Sequence, residues 1–173
     1  MKKLNSNIYL IGMMGSGKST IGRMIAEKLN KKFIDTDNKI EEFTGLTITE
    51  IFEAFGEKRF REMEESYFIE KSQLNDLVIS TGGGIVISLN NRKVLKSSIN
   101  TIYLKAQPEI LAERVSKKKD KRPLLKDEIS ITNKLTNIYN ERNKLYEQSA
   151  NYVIETDTLT KIEKFNKVLS CLH

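Results

Sequence analysis

Gly12-Met13-Met14-Gly15-Ser16-Gly17-Lys18-Ser19-Thr20 is the stretch that decides the fold. It fits G-x-x-x-x-G-K-[ST], the pattern of a loop that wraps a phosphate chain. Before it, Ile8-Tyr9-Leu10-Ile11 is a short apolar run of the kind found in buried parallel strands. Behind it, Ile21, Met24, Ile25 and Leu29 recur at helical spacing. The motif therefore stands where its chemistry works, between a strand and a helix. Glycines allow close backbone approach, successive N–H groups turn inward as an anion nest, and the helix N-terminus adds partial positive charge. Gly15, Ser16, Gly17, Lys18, Ser19 and Thr20 are the expected nucleotide contacts, with Lys18 reaching the terminal phosphates of ATP and the Ser19 hydroxyl offered to Mg²⁺.

Working outward, apolar runs alternate with helical patterns along the whole chain. Lys32-Phe33-Ile34, Leu77 to Thr81, Thr101 to Leu104 and Tyr152 to Ile154 read as four further strands. Strands separated by helices imply βαβ crossovers, so the expected fold class is α/β: three layers, with a five-stranded parallel sheet flanked by helices. Ligands in such sheets sit beyond the carboxyl ends of the strands. Thr47-Ile48-Thr49-Glu50 reads as a capping box, Gly56 as a helix break, and Pro108 as the start of a helix ending near Val115. At 173 residues, one domain spanning 1–173 is expected.

Composition narrows the partners. The chain carries 29 basic and 23 acidic residues, a net charge of +6. Apart from Lys117 to Arg122 the basic residues are spread along the chain without interleaved aromatics. Anionic small molecules are the expected ligands, and nucleic acid is not. No apolar run approaches the length that crosses a bilayer, and no signal-peptide core precedes Gly12, so no membrane partner is expected. The single cysteine, Cys171, agrees with a reducing cytoplasm. The only histidine, His173, is terminal, which sets histidine catalysis aside. A cytoplasmic monomer is the expectation.

Other residues carry chemistry at the expected strand ends. Asp35 and Asp37 follow the second strand with one residue between them; alternation points them apart, so one can serve a metal shell and the other can take a proton from an attacking hydroxyl. Arg61 neighbours Glu64 and Glu65 at helical spacing, either as a surface ion pair or as a ligand contact. Gly82-Gly83-Gly84 closes the third strand with bare backbone, which either meets a ligand through its N–H groups or is only flexible. That strand ends in Ser80-Thr81-Gly82 and lacks the metal-directed Asp common in this class of loop, so Asp35 is the substitute. The polar segment Lys117 to Asp127 suits a lid that brings Arg122 to the γ-phosphate, or a solvated basic loop. Arg142 continues the stripe of Ile131, Leu135, Ile138 and Leu145, and either snorkels from its edge or faces a cleft that receives an acid.

Taken in order, Gly-Met-Met-Gly-Ser-Gly-Lys-Ser, Asp35-Thr36-Asp37, Phe60-Arg61-Glu62-Met63-Glu64, Gly82-Gly83-Gly84, Arg122-Pro123-Leu124-Leu125 and Arg142 with Tyr146 resemble the shikimate kinases, among the P-loop small-molecule kinases. The resemblance implies ATP-dependent phosphorylation of the 3-hydroxyl of shikimate, on the route to chorismate and the aromatic amino acids. It implies a lid near 116–128 and a mobile substrate-binding region near 38–66. It also implies Asp37 as base, Asp35 in the Mg²⁺ shell, Arg61 and Arg142 on the substrate carboxylate, Gly82 to Gly84 on the substrate hydroxyl side, and Arg122 on the phosphates. Arg114 matches the family's adenine-stacking arginine. The proline often found opposite it is absent, since Asp157-Thr158-Leu159-Thr160 follows the last strand. A related kinase for gluconate or a nucleoside monophosphate is the alternative.

Overall fold

All four residues of the first strand, β1 (Ile8–Ile11), are buried because neighbours pair along both its edges and helices cover both its faces. The computed structural model describes residues 6–117 and 128–172. In them β2 (Lys32–Asp35), β3 (Leu77–Ser80), β4 (Thr101–Lys105) and β5 (Tyr152–Glu155) join β1 in one parallel sheet of order β2-β3-β1-β4-β5. The helices are α1 (Lys18–Leu29), α2 (Thr36–Thr44), α3 (Ile48–Ser72), α4 (Leu89–Ser97), α5 (Pro108–Lys117), α6 (Glu128–Ser149) and α7 (Lys161–Cys171).

Strand alternation splits the apolar side chains between two layers. Ile8 and Leu10 pack with Ile21 and Ile25 of α1 and Val168 of α7, with Cys171 half-buried at the edge. Tyr9 and Ile11 face the other way, onto Phe68 of α3, Leu95 of α4, Leu111 of α5, and Leu135 and Tyr146 of α6. A third, smaller core of Ile40, Ile51 and Phe60 joins α2 to α3 and contains no strand residue. Among the described residues, no helix is long and apolar enough to cross a membrane.

Two helices were not expected from sequence, and one of them relocates a site residue. Asp35 ends β2 and caps α2, its carboxylate accepting from the Asn38 amide at 3.3 Å. Asp37 therefore lies in the first turn of a helix rather than on a strand end. It is the strand-to-helix turn, not strand alternation, that separates the two carboxylates. In the same way Ser88 caps α4. The Thr47–Glu50 capping box is present. Gly56, at φ 80 and ψ 163, kinks α3, a conformation that side-chain-bearing residues rarely adopt. Most of the expected lid, with Arg122, lies outside the described residues.

Candidate active site

β1 delivers the phosphate loop at the middle of the sheet. Gly17 caps α1 in a left-handed conformation and supplies no side-chain cap, so no cap side chain competes with a ligand for the first-turn amides. The Ser16 hydroxyl is fully buried with no partner among the described residues. Lys18 is buried and its ammonium donates to the Met13 carbonyl at 2.9 Å. Thr20, one residue beyond Ser19, is exposed.

At the end of β3, where a carboxylate is missing, neighbouring β2 supplies one. Asp35 is in register with Ser80. The Ser19 hydroxyl donates to Asp35 Oδ2 at 2.5 Å and lies 3.3 Å from the Ser80 hydroxyl. This all-oxygen set suits a hard cation such as Mg²⁺, which takes few protein ligands and completes its shell with phosphate and water. Among the described residues no group of three or more His, Cys, Asp or Glu could hold a metal alone, so any ion here depends on such completion.

The glycine triplet brings the remaining candidates together. A β-carbon on Gly82 would strike Asp37 and Glu64, and one on Gly84 would strike the Arg61 guanidinium. Gly83 approaches the phosphate loop, with its β-carbon position 3.6 Å from the Met14 amide nitrogen. At Gly82 and Gly84 a side chain would have to displace groups of α2 and α3 that already fill the space. One expectation fails: the Gly82 amide is not open to a ligand, because it donates to Thr36 Oγ1 at 2.9 Å. The Gly83 and Gly84 amides have no partner among the described residues.

Arg61 is more than a surface ion pair. Its Nη1 donates to Glu64 Oε2 at 2.7 Å, while Nε and Nη2 reach Glu57 at 3.2 and 3.0 Å. The rings of Phe60 and Phe52 lie 5.1 and 5.9 Å from its guanidinium carbon. Glu65, expected beside it, instead accepts from Ser88 and Asn90. Arg142 turns inward, its Nη1 donating to the Gly83 carbonyl at 3.2 Å, so it faces the glycine triplet rather than snorkelling outward. Arg114 lies apart, its Nη2 bound to the Thr156 and Asp157 carbonyls at 2.6 and 3.3 Å where β5 ends.

Glu64 is the residue that sequence reasoning missed. It is 1% exposed, and its Oε1 has no partner among the described residues. The available signal was a carboxylate between Phe60 and Phe68 on one buried stripe of α3. Burial pushes the Glu64 carboxyl up, against the pull of Arg61. The same burial, with help from Asp35 and Glu41 and opposed by Lys18 and Arg61, pushes Asp37 up to about 6. Burial draws Arg61 down, but Glu64 and Glu57 outweigh it and hold the guanidinium above its ordinary value. The arrangement can take a proton at Asp37 and bind a small anion between Arg61 and Arg142, beside a loop built for phosphate.

A family model described as shikimate kinase matches residues 14–173. Shikimate kinases from Haemophilus influenzae (strain PittEE) and Caldicellulosiruptor bescii are 45% and 42% identical to this chain over 151 and 164 residues, covering 87% and 95% of it and 83% and 94% of those proteins. The solved shikimate kinase from Acinetobacter baumannii in complex with shikimate matches with a TM-score of 0.86 at 39% identity, over 96% of this chain and 92% of that one. A gluconokinase from Sinorhizobium meliloti, 17% identical with a TM-score of 0.60 over 99% of this chain and 93% of its own, shares the fold alone.

Proposed function

Because the chain belongs to the shikimate kinase family and is a kinase that phosphorylates shikimate, we propose that transfer from ATP occurs at the 3-hydroxyl, where the phosphate loop, the glycine triplet and α3 meet. The observation that carries this reading is the convergence on Gly82–Gly84 of a carboxyl poised near neutral pH and two guanidinium groups. The gluconate or nucleoside monophosphate alternative has only a shared fold behind it.

In the proposed reaction Arg61 and Arg142 hold the shikimate carboxylate, and the Gly83 and Gly84 amides meet the hydroxyl side. Asp37 accepts the proton of the 3-hydroxyl as its oxygen bonds the γ-phosphorus; the bond to the β-γ bridging oxygen breaks and ADP leaves with the electron pair. Lys18 turns from the Met13 carbonyl to the transferring group, and the loop amides stabilise charge developing there. Ser19 and Asp35, with Ser80 beside them, would hold Mg²⁺, which neutralises the β- and γ-phosphate oxygens when bound. Arg122 would add its charge from the lid near 116–128, and Arg114 would border the adenine beside Asp157. One domain acting as a cytoplasmic monomer completes the proposal, with a substrate-binding region near 38–66.

ADP release assayed against shikimate, gluconate and several nucleoside monophosphates should respond to shikimate alone. Comparable turnover of gluconate would overturn the substrate assignment.

The proton step predicts a pH profile. Asp37 must be ionised to act, so kcat/KM for shikimate should decline about tenfold per pH unit below about 6 and level off above it. A rate that stays flat down to about pH 4.5, well below that midpoint, would remove Asp37 from the role of base.

A further inference from the structure

Tyr146 is fully buried and still needs a partner for its hydroxyl. It donates to the Gly83 carbonyl, the same oxygen that Arg142 reaches at 3.2 Å. The two residues lie four apart on α6, hence on one face, and share an acceptor in the middle of the glycine triplet. They differ in freedom. The Tyr146 ring stacks on Tyr103 of β4, centroids 4.8 Å apart and planes at 20°. Tyr103 is fixed in turn, its hydroxyl donating to Asn143 Oδ1 at 3.0 Å. Arg142 has a long side chain that is only partly buried.

These two donors face different demands during binding. If Arg142 takes the substrate carboxylate, it must leave Gly83. A partly buried carbonyl stripped of its only donor carries a desolvation penalty, and that penalty would be charged against substrate binding. A second donor on the same oxygen removes it. We propose that Tyr146 is a positioning residue that keeps the Gly83 carbonyl satisfied while Arg142 transfers to the substrate. Its hydroxyl thereby lowers the free energy of releasing that guanidinium. The role acts through Arg142 and involves no contact with shikimate. It rests on the assignment of Arg142 to the carboxylate.

The test is a double-mutant cycle. Tyr146→Phe keeps the ring, its volume and the stack on Tyr103, and removes only the hydroxyl. Gly83 is then held by Arg142 alone, so KM for shikimate should rise about 3–10-fold, the scale of one net hydrogen bond. KM for ATP and kcat should hardly move. In an Arg142→Ala background there is no guanidinium to release, and Tyr146→Phe should leave KM for shikimate almost unchanged, a strong coupling between the two sites. A merely structural tyrosine would alter both KM values and kcat by similar factors in either background. That result would overturn the proposal, as would an unchanged shikimate KM in the single variant. If Arg142→Ala weakens shikimate use while Tyr146→Phe acts equally in both backgrounds, the carboxylate assignment stands and the Tyr146 role falls. If Arg142→Ala leaves shikimate use intact, both fall.

Discussion

Asp37→Asn should lower kcat by roughly 10²–10⁴-fold, the range for loss of a general base, and should leave KM for ATP close to wild type. The amide keeps the volume and the hydrogen-bonding reach of the carboxylate but cannot accept the hydroxyl proton. The same variant should be the more stable protein near neutral pH. Burial raises the Asp37 carboxyl from 3.8 to about 6, so the folded protein binds that proton more tightly than the unfolded chain does. Its stabilising contribution is complete below about pH 4 and is lost as the pH rises through about 6. Above that range the ionised group destabilises the fold by an amount on the order of 1–3 kcal/mol. The melting temperature of Asp37→Asn should therefore exceed that of wild type at about pH 8, with the difference shrinking as the solution is acidified. Near-normal turnover would exclude the base role, and a lower melting temperature at that pH would exclude the burial account of the shift.

Arg61→Ala and Arg142→Ala should each cost about 30-fold or more in kcat/KM for shikimate, since truncating one partner of a desolvated charged pair typically removes about 2–5 kcal/mol. Lysine at either position should recover only part of the loss, because an ammonium cannot match the planar fork on a carboxylate. The two alanine variants should part company in stability. Arg61 is the ion partner of buried Glu64, and its removal strands that carboxylate, so Arg61→Ala should also melt earlier. Arg142 bonds a backbone carbonyl that Tyr146 also serves, so Arg142→Ala should melt near wild type. A shikimate analogue with the carboxylate reduced to an alcohol provides the control. Wild type should use it poorly, and the variants should lose little further. Variants that still discriminate between the two compounds as strongly as wild type would rule out the clamp.

How much of this was legible in the chain depended on how local each signal was. The strands declared themselves because a sheet covered on both faces needs continuous apolar runs such as Ile8-Tyr9-Leu10-Ile11 and Leu77-Val78-Ile79. The phosphate loop is a contiguous motif. Helices α2 and α4 escaped because each buries few apolar side chains; the caps at Asp35 and Ser88 were the only local signs. The bond from the Gly82 amide to Thr36 joins residues 46 apart in sequence, and no periodicity encodes it. Arg142 was ambiguous for the same reason: its stripe says which way the helix faces, but only the docking of α6 against α5, α4 and β4 brings it to Gly83. Glu64 was readable in principle, as a carboxylate where the apolar stripe of α3 demands a hydrophobe.

The small core of Ile40, Ile51 and Phe60 shares no residue with the two cores that sandwich the sheet. Substitutions inside it are felt first by α2 and the front half of α3, and reach the phosphate loop through Asp35, which accepts from Ser19, and through Asp37, Arg61 and Glu64 against the glycine triplet. Distant sites without shared partners change nearly independently. In the proposed reaction, the share of the acceptor site that α2 and α3 supply, Asp37 and Arg61, is thus a cassette set against a chassis that carries the phosphate loop, the glycine triplet and Arg142. Over evolutionary time, or at the bench, that cassette can be refitted to a differently shaped hydroxy acid while the machinery that handles the γ-phosphate is inherited unchanged.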